Sequence, residues 1–478
     1  MTGKQGTTVI RNAAWIASWD GDEHRYLQDG DIAFTADRIV HVGGRYEGAA
    51  DRTIDGSRRF VMPGLINVHS HPHTEPASKG VREDHGVPEM YDTGLYERSC
   101  AFSLDEPGRQ AAMEMAYAEL LLSGVTTVAD LSSPVEGWLD CAGRSGLRVY
   151  IGSFFADAFW KLENRHALGF DWDEARGQRD FEASIRIMDL AEQHPSGRLR
   201  GIVYPGQIET CTESTLRDAA AHARETGRPL TTHLSQSKLE FLEIVRRHGK
   251  TPLEYAADIG FLGPDTVLGH VIFIDEHPDL GWRTAGDLDR LAESGTSVAH
   301  CPSPFARYGH AMAHFGRYRA RGVNMAMGTD VAPHNLVEEM RLAIILARVM
   351  AGNIRAVDTR ELFRAATLGG ARALGRDDLG RLAPGAKADL VLLDLEHPSM
   401  RPARDPLRTF VFEAADRAVR EVFVDGEQAV ADGKPLNLDP EGAGAQLEES
   451  QARMLAEAPG RDFLGRTAEE ISPYSLPL

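Results

Sequence analysis

The middle of the chain alternates short apolar segments with helical ones, and this alternation restricts the fold more than any other feature. The short segments are apolar throughout, which is typical of strands buried on both faces. Helical segments such as RQAAMEMAYAELLLSG follow them. Eight strand-and-helix repeats over about 300 residues predict an α/β fold, a (β/α)8 TIM barrel spanning residues 61–375. The candidate strands are LINV, GVTTVADL, RVYIGSFF, RLRGIVYPG, PLTTHLS, TVLGHVIF, TSVAHCP and NMAMGTD.

The two ends of the chain have a strand pattern without helices. Apolar and polar residues alternate, with Asp and Gly turns, in TTVIRNA and DIAFTADRIVHVGG near the start and in VREVFVDGEQAVADG near the end. We therefore expect residues 1–60 and 376–436 to form one small β-sandwich domain from both chain ends. Residues 437–478 are expected to form a helix and a tail that packs on the barrel or on a partner subunit.

Charge and cysteine content narrow the class of partner. The chain has 52 Lys+Arg against 71 Asp+Glu, a net charge of -19, which disfavours a nucleic-acid backbone or an anionic membrane as partner. Four cysteines form no C-x-x-C pair, and neither a secretory segment nor an apolar run of membrane-spanning length is present. These features predict a cytoplasmic protein that acts on a small molecule, without nucleic acid or membrane partners.

Titratable side chains lie where the predicted strands end, which is the face that carries the chemistry in barrel enzymes. Residues two apart on a strand point to the same side, as the first two of these histidines do. Burying so many polar groups at one rim is costly unless they share a purpose. The six residues are His69 and His71 after strand one, His233 after strand five, His270 after strand six, His300 after strand seven and Asp330 after strand eight.

This combination of residue types suits one divalent metal ion. Three neutral imidazoles and one carboxylate bind Zn²⁺ and leave a position for water, and Fe or Mn would also fit. The metal lowers the pKa of that water and so provides a hydroxide nucleophile. Asp330 is expected to take the proton of the water and pass it to the leaving group. His270 is expected to donate a hydrogen bond to the atom on which charge develops.

The motifs GLINVHSHPH, LTTHLSQS, VLGH and MGTD, in that order, resemble the metal-dependent amidohydrolase superfamily. Within it, the sequence is most similar to the cytosine deaminase and triazine chlorohydrolase type, and the similarity covers nearly the whole chain. The resemblance implies that His69, His71, His233 and Asp330 bind the metal and that His270 contacts the substrate. Some members hold two metals bridged by a lysine that ends strand four. That strand here, RLRGIVYPG, has no lysine, which predicts one metal.

One residue departs from the deaminase pattern. Deaminases of this type carry a glutamate three residues after the strand-five histidine, whereas this chain has Gln236. A neutral amide can hold a substrate by hydrogen bonds but cannot transfer a proton. If Gln236 faces the pocket, deamination of purine or pyrimidine rings becomes doubtful. His300 and the following CPSPF segment lie where relatives usually have a turn with Asn, a second sign of an unusual substrate.

Other candidates are weaker. A long connection at residues 156–174 contains Phe159 and Trp160, which could form a pocket wall for an apolar or aromatic part of a substrate. His334 follows Asp330 closely and could also contact a substrate. His73, Arg307 and Tyr308 could also face the pocket. The alternative is that these side chains are exposed to solvent. Cys301 is not expected to act as a nucleophile, because a metal hydroxide makes one unnecessary.

Three functions are compatible with these residues. The leading hypothesis is a metal-dependent hydrolase that cleaves a non-peptide C–N bond, as in an amide, urea or carbamate, through a metal-bound hydroxide. The first alternative is a hydrolytic deaminase or dechlorinase of a nitrogen heterocycle. The second is a non-catalytic scaffold that has kept the barrel, which the complete ligand set disfavours. The enzyme is expected to be a homo-oligomer, either a dimer or a tetramer.

Overall fold

Strands and helices alternate through the centre of the chain, and strands predominate at its ends. The computed structural model describes residues 6–81 and 86–477. The strands are β1 (Thr7–Ala13), β2 (Trp15–Trp19), β3 (His24–Leu27), β4 (Gly30–Thr35), β5 (Arg38–Gly43), β6 (Arg52–Asp55), β7 (Arg59–Pro63), β8 (Leu65–Ser70), β9 (Val125–Ser132), β10 (Arg148–Ser153), β11 (Ala158–Lys161), β12 (Gly169–Trp172), β13 (Leu199–Gly201), β14 (Leu230–Leu234), β15 (Thr266–His270), β16 (Ser297–His300), β17 (Asn324–Met327), β18 (Leu390–Asp394), β19 (Val419–Val424), β20 (Glu427–Ala431) and β21 (Lys434–Pro435).

Most helices lie between the central strands. They are α1 (Leu95–Ala101), α2 (Glu106–Leu122), α3 (Trp138–Ser145), α4 (Glu174–Glu192), α5 (Glu213–Thr226), α6 (Lys238–His248), α7 (Pro252–Asp258), α8 (Asp287–Ser294), α9 (Pro302–Ala306), α10 (Phe315–Ala320), α11 (Leu336–Ala351), α12 (Thr359–Arg364), α13 (Gly370–Ala373), α14 (Pro406–Thr409), α15 (Pro440–Arg461) and α16 (Ala468–Ile471). No helix within the described ranges is long and apolar enough to cross a membrane.

Eight parallel strands form the central barrel. Their order is β13-β10-β9-β8-β17-β16-β15-β14. Parallel bridges from Val203 to Leu230 and from Gln207 to His233 join the two ends of this order and close the barrel. The strands are almost entirely buried, because helices cover their outer side and side chains fill the interior. The predicted TIM barrel is therefore confirmed.

A small β-sandwich is built from both ends of the chain, as predicted. One sheet has the order β5-β4-β1-β6, and the other has the order β21-β20-β19-β18-β7-β2-β3. β7 and β18 pair antiparallel and so join the amino-terminal strands to the carboxy-terminal ones. Ile10, Ile32 and Phe34 from one end pack with Leu392 and Phe423 from the other, giving the sandwich one shared core.

Gly64 connects the sandwich directly to the first barrel strand. β7 ends at Pro63 and β8 begins at Leu65, so the chain turns from one domain into the other at this single residue. A Cβ on Gly64 would lie 2.0 Å from the Thr126 hydroxyl oxygen, and this distance is too short for any side chain at position 64. Glycine therefore allows β8 to approach β9 and fixes where the histidines at the end of β8 point.

A buried ionic cluster joins the barrel to the sandwich. Arg148, at the start of β10, forms ion pairs with Asp389 and Asp425, the latter at 2.5 Å. Lys387 also pairs with Asp425, at 2.9 Å. Burial opposes ionisation of Asp425, but the adjacent cations Arg148 and Lys387 outweigh it and lower its pKa. We call these four residues the junction cluster; its two cations and two anions balance.

Candidate active site

His69, His71 and Asp330 meet at the carboxyl end of the barrel. His69 lies on β8, His71 follows it, and Asp330 follows β17, the neighbouring strand. One oxygen of Asp330, Oδ1, lies 3.1 Å from Nε2 of His69 and 3.1 Å from Nε2 of His71. Backbone hydrogen bonds between the two segments, including Asp330 N to His69 O at 2.9 Å, hold this arrangement.

His233, at the end of β14, completes a cluster of four potential ligands. Its Nε2 lies 3.1 Å from Nε2 of His71. The Nδ1 atoms of His233 and His71 lie 2.6 Å and 2.7 Å from the carbonyl oxygens of Gly206 and Leu131, to which they donate. Because both Nδ1 atoms donate to the backbone, the Nε2 atoms are the ones left to bind a metal ion, and the two point into one space.

The donor set fits a divalent metal ion. The four ligand atoms of His69, His71, His233 and Asp330 all lie within 4.8 Å of one another. The residues are buried, apart from a partly buried His71. Three imidazoles and a carboxylate at this spacing are a donor set that suits one divalent transition-metal ion. The predicted metal ligands are thus close enough together to share one ion.

Burial controls the ionisation of this cluster. It lowers the pKa of His69 and, together with the charges of neighbouring histidines, holds the pKa of His233 well below its usual value. Burial disfavours the charged form of His71 too, but hydrogen bonding to Asp330 raises its pKa. Burial also works against the Asp330 carboxylate, yet His270, His69 and His71 keep its pKa well below the usual range. The site therefore favours an ionised carboxylate among mainly neutral rings.

His270 lies beside the cluster in a strained backbone conformation. Its φ is 73°, and those of Val271 and Asp330 are 47° and 61°, in the left-handed region that residues other than glycine seldom adopt. The ring centre of His270 is 4.9 Å from that of His69, and its Nε2 is 3.8 Å from Asp330 Oδ1. Burial lowers its pKa to about 3, so the ring is neutral at pH 7.

A cavity of about 810 Å³ opens above the cluster. His71, His233 and Asp330 line it, whereas His69 and His270 lie buried outside its lining. One part of its wall is aromatic, which suits a ligand with a flat or apolar part. The aromatic wall consists of Phe154, Phe159, Trp160, Tyr204, Phe305 and Tyr308.

Gln236 faces this cavity. Its side chain is 3% exposed, and its Nε2 has no hydrogen-bond partner in the described part of the chain. Its backbone N–H donates to the buried carboxylate of Glu240 at 2.8 Å, and that of Ser235 donates to the same carboxylate. Glu240 thus fixes the turn after β14 and presents the amide of Gln236 to the cavity.

The segment with Phe159 and Trp160 is a hairpin, β11–β12, rather than an irregular loop. Trp160 donates from Nε1 to Glu209 at 3.2 Å and packs edge-on against Tyr96, with ring centres 4.8 Å apart. The Tyr96 hydroxyl in turn lies 2.5 Å from Ser237 Oγ, next to Gln236. Phe159 is 40% exposed and lies at the mouth of the cavity. Trp160 is therefore a fixed wall, whereas Phe159 has solvent access.

Three predicted substrate-binding residues do not line this cavity. His270 is buried beside the metal-ligand cluster, and the other two lie farther away. His300 lines a separate, very small cavity with Cys301 and Met312 and packs against Phe315, with ring centres 5.1 Å apart. His334 is fully buried and contacts Glu119, with Nδ1 3.3 Å from Oε2. Neither lines the large cavity, because each ring packs into the helical layer around the barrel. The weaker candidates His73, Arg307 and Tyr308 do line it, and Cys301 is buried with a raised pKa.

Several cavity residues were not singled out from the sequence. Tyr204 and Gln207 follow β13, so their position at the end of a barrel strand was a usable signal. Glu209 and Tyr96 act through Trp160 from segments distant in sequence, and no local pattern marks them. Burial raises the pKa of Glu209, which lies behind the aromatic wall, to about 7.

A closed parallel barrel with three histidines and an aspartate at its carboxyl end defines the class of metal-dependent barrel hydrolases. The sequence matches the amidohydrolase family over residues 60–429, most of its length, and the chain belongs to that family. The resemblance seen in the sequence is confirmed. The protein is accordingly a metal-dependent hydrolase that acts on non-peptide carbon–nitrogen bonds.

Relatives with assigned activities are mainly deaminases. The chain is 30% identical to a 5-methylthioadenosine/S-adenosylhomocysteine deaminase of Halobacterium salinarum, over 90% of this chain and 95% of the relative. It is 27% identical to a 5'-deoxyadenosine deaminase of Methanosarcina mazei, over 94% and 98%. Both comparisons span nearly complete chains, so the relatives share the whole architecture.

Solved structures share the fold. An adenosine deaminase from Xanthomonas campestris with bound zinc superposes with a TM-score of 0.80 at 23% identity, covering 94% of this chain and 98% of that one. An atrazine chlorohydrolase from Arthrobacter aurescens, complexed with zinc, gives 0.78 at 23% identity, covering 93% and 100%. At this level of identity the similarity establishes the barrel and sandwich, not the substrate.

Proposed function

We propose that the enzyme hydrolyses the exocyclic carbon–nitrogen bond of a nitrogen heterocycle that carries a sizeable substituent. The observation that carries this proposal is the large aromatic-walled cavity with the His71, His233 and Asp330 atoms at its base and the unpartnered amide of Gln236 in its wall. A cavity of about 810 Å³ is of the size that binds drug-sized ligands. Relatives named for adenosine derivatives support a substrate of this class.

We propose one zinc ion, held by His69, His71, His233 and Asp330. The fit rests on the Nε2 atoms of His71 and His233, which lie 3.1 Å apart, and on the four ligand atoms within 4.8 Å of one another. A divalent ion in this position supplies Lewis acidity and makes water nucleophilic at neutral pH. β13 and the segment after it offer no lysine for a second, bridged ion.

Asp330 is proposed to move the proton. Its carboxylate stays ionised beside the imidazoles and can accept one proton from the attacking water. The oxygen of that water bonds to the ring carbon, the carbon–nitrogen bond breaks, and Asp330 returns the proton to the departing nitrogen. Ammonia or an amine then leaves as a neutral molecule. His270, neutral and 3.8 Å from Asp330, lies behind the carboxylate and is proposed to position it.

Gln236 is proposed to hold the ring without protonating it. Its amide can donate to a ring nitrogen or accept from a ring N–H, but it cannot transfer a proton. Substrates whose reacting carbon is electron-poor without ring protonation are therefore favoured. The same neutral side chain favours a second candidate function, hydrolysis of an amide, urea or carbamate, which needs no ring acid.

The test uses purified enzyme loaded with zinc and a panel of aminated heterocycles, ureas, carbamates and amides. Release of ammonia is measured by a coupled assay, and release of amine is measured by chromatography. Ammonia from heterocycles supports the first proposal, and amine release from acyclic compounds alone supports the second. No release from any compound, with zinc bound at one equivalent, would contradict both.

The Gln236→Glu variant then tests the role of the amide. If Gln236 selects against rings that need protonation, the variant gains turnover on adenosine-type rings by about a hundredfold or more, the scale of one added general acid. Gln236→Leu serves as the control, because it removes hydrogen bonding without adding an acid. Equal activity of all three proteins on all rings would show that Gln236 does not contact the substrate.

Location and assembly are also proposals. The described cysteines Cys100, Cys141, Cys211 and Cys301 are free thiols, which supports a reducing compartment such as the cytoplasm. The negative net charge supports the expectation that nucleic acid is not a partner. A homo-oligomer is proposed as well, supported by the exposed apolar side chains of Ile345, Val349 and Ile354.

A further inference from the structure

The carboxy-terminal helix α15 lies outside the part of the chain that matches the amidohydrolase family, yet it lines the substrate cavity. The family match ends at residue 429, and the whole of α15 follows it. Met454 and Arg461 on this helix line the same cavity as His71 and Asp330. The two α15 residues are seven apart and so lie on one face of the helix. A segment beyond the matched region therefore contributes to the wall of the proposed active site.

One wall of the cavity runs from the metal-ligand cluster to α15. After His71 the chain passes through a short helical turn, Glu75–Ser78, and reaches Val81. Residues along this whole segment line the cavity: His73, Thr74, Glu75, Ala77, Ser78 and Val81. Gln451 on α15 donates from Nε2 to the carbonyl oxygen of Ala77 at 2.7 Å. This hydrogen bond fastens α15 to the end of the wall that lies farthest from His71 along the chain.

The part of the cavity beside α15 is apolar. Ala77 and Val81 meet Met454 there, together with Phe102 and Leu104 from the connection between α1 and α2. We call these five residues the distal pocket. They are buried and belong to one apolar cluster, of which α15 forms one side. Because they also border the cavity, an apolar ligand group placed against them would be removed from water and bind favourably.

Two arginines border the distal pocket, and each already has a carboxylate partner. Arg109 donates from Nε to Glu106 at 3.1 Å, and Arg461 donates from Nη2 to Glu457 at 2.8 Å. Arg461 also donates from Nη1 to the carbonyl oxygen of Ser103 at 2.8 Å. An anionic ligand group would have to compete with these carboxylates, whereas an apolar group would not. The surroundings of the distal pocket therefore favour an apolar occupant.

We propose that α15 is a specificity element, and that Met454 and the rest of the distal pocket receive an extended apolar chain carried by the substrate. The reacting carbon of the same molecule lies at the metal-ligand cluster, so one substrate spans the cavity. This inference rests on the proposed function and names the substituent that the heterocycle carries. An unbranched alkyl chain suits the pocket, because the flexible side chain of methionine adapts to such groups. α15 acts on binding and takes no part in proton transfer.

Calorimetric titration of the zinc-loaded protein tests the distal pocket without any turnover. The probes are 9-methyladenine and 9-octyladenine, which share one ring and differ in the length of the chain. The wild type is expected to bind the octyl compound at least about tenfold more tightly, because the longer chain buries more apolar surface. Met454→Trp, which occupies the distal pocket with a larger side chain, should lose most of this preference. Equal affinity of the wild type for both probes, or binding of neither, would overturn the proposal.

Two further variants separate the pocket from a general effect on the helix. Ala456→Trp is the matched control, because it places the same side chain at an exposed position of α15 and should keep the preference. Met454→Gln keeps the side-chain length but ends in a polar group, needs no extra space, and should weaken the preference. Circular dichroism confirms that each variant is folded. Retention of the preference in a folded Met454 variant, or its loss in Ala456→Trp, would contradict the role of α15.

The chain preference and the proposed reaction are measured separately. Ammonia release by the wild type reports on the reaction, whereas the ratio of the two binding constants reports on the distal pocket. Binding with a chain preference but no ammonia from any heterocycle would reject the proposed reaction and keep the specificity element. Ammonia release without a chain preference would keep the reaction and reject the role of α15.

Discussion

Two buried clusters of titratable groups lie at opposite ends of the barrel. One is complete, in the sense that its positive and negative charges balance, and the other is not. In the junction cluster, Arg148 and Lys387 balance Asp389 and Asp425, and each group meets an opposite charge. At the opposite end, three imidazoles surround the one carboxylate of Asp330, and two Nε2 atoms face each other at 3.1 Å. The complete cluster has no charge left for a ligand and serves the fold. The incomplete cluster has donor atoms that can still bind a cation.

The largest effect is expected at the incomplete cluster. Asp330→Asn removes the proton acceptor while keeping the side-chain shape, so kcat should fall by about 10³-fold or more. The measurement is ammonia or amine release on whichever substrate the panel identifies, with zinc content determined in parallel. The melting temperature should also fall, because the neighbouring histidines favour the ionised carboxylate in the folded protein. Activity within tenfold of the wild type would show that Asp330 does not transfer the proton.

The complete cluster should respond in the opposite way. Arg148→Met keeps much of the side-chain volume but leaves Asp389 and Asp425 without their main partner, which costs about 3–5 kcal/mol of stability. Urea unfolding measures the loss, and turnover per folded molecule should remain close to that of the wild type. Arg186→Met, at an exposed position on α4, is the control. A loss no larger than that of the control would mean that the cluster contributes little.

The buried pair of His334 and Glu119 provides a third test of whether a charged contact serves stability or catalysis. Burial opposes ionisation of Glu119, but hydrogen bonds and charge from His334, with Lys79, outweigh it and lower the pKa of Glu119 to about 2. The ionised carboxylate therefore stabilises the fold above its unfolded pKa near 4.5, and this contribution is lost as the pH falls toward 2.

The Glu119→Gln variant should accordingly be less stable by about 3 kcal/mol at pH 7. The difference from the wild type should shrink between about pH 4.5 and pH 2, as followed by urea unfolding at several pH values. Its steady-state kinetics should be unchanged if His334 is a packing residue, as its position suggests. A stability difference that does not vary with pH would show that the charge of Glu119 is not responsible.

The sequence allowed the fold to be predicted because both of its periodic patterns are strong. Buried barrel strands are apolar throughout, and the strands of the sandwich alternate, so each pattern indicates its own architecture. The positions of His69, His71, His233 and Asp330 could be inferred for the same reason, since each ends a recognisable strand. The proximity of their ligand atoms follows from barrel closure, which brings the strand ends to one rim.

The walls of the cavity were harder to predict. His300 and His334 also follow strands, but the local turn, not the strand, decides which way each ring points. Trp160 is held by Glu209 and Tyr96, which lie about 50 and 60 residues away along the chain, so no window of sequence contains the contact. Interactions of this kind depend on loop geometry, and the periodicity of the sequence does not predict them.

The direct passage from β7 through Gly64 into β8 has a consequence for biosynthesis. β7 emerges early from the ribosome, yet its neighbour β18 emerges only after the entire barrel has been made. At about 5–20 residues per second, translation of the intervening segment takes tens of seconds. During that time β7 has an unpaired edge, and the strand that carries His69 is anchored on an unfinished sheet. The enzyme can become active only once its last strands have been synthesised.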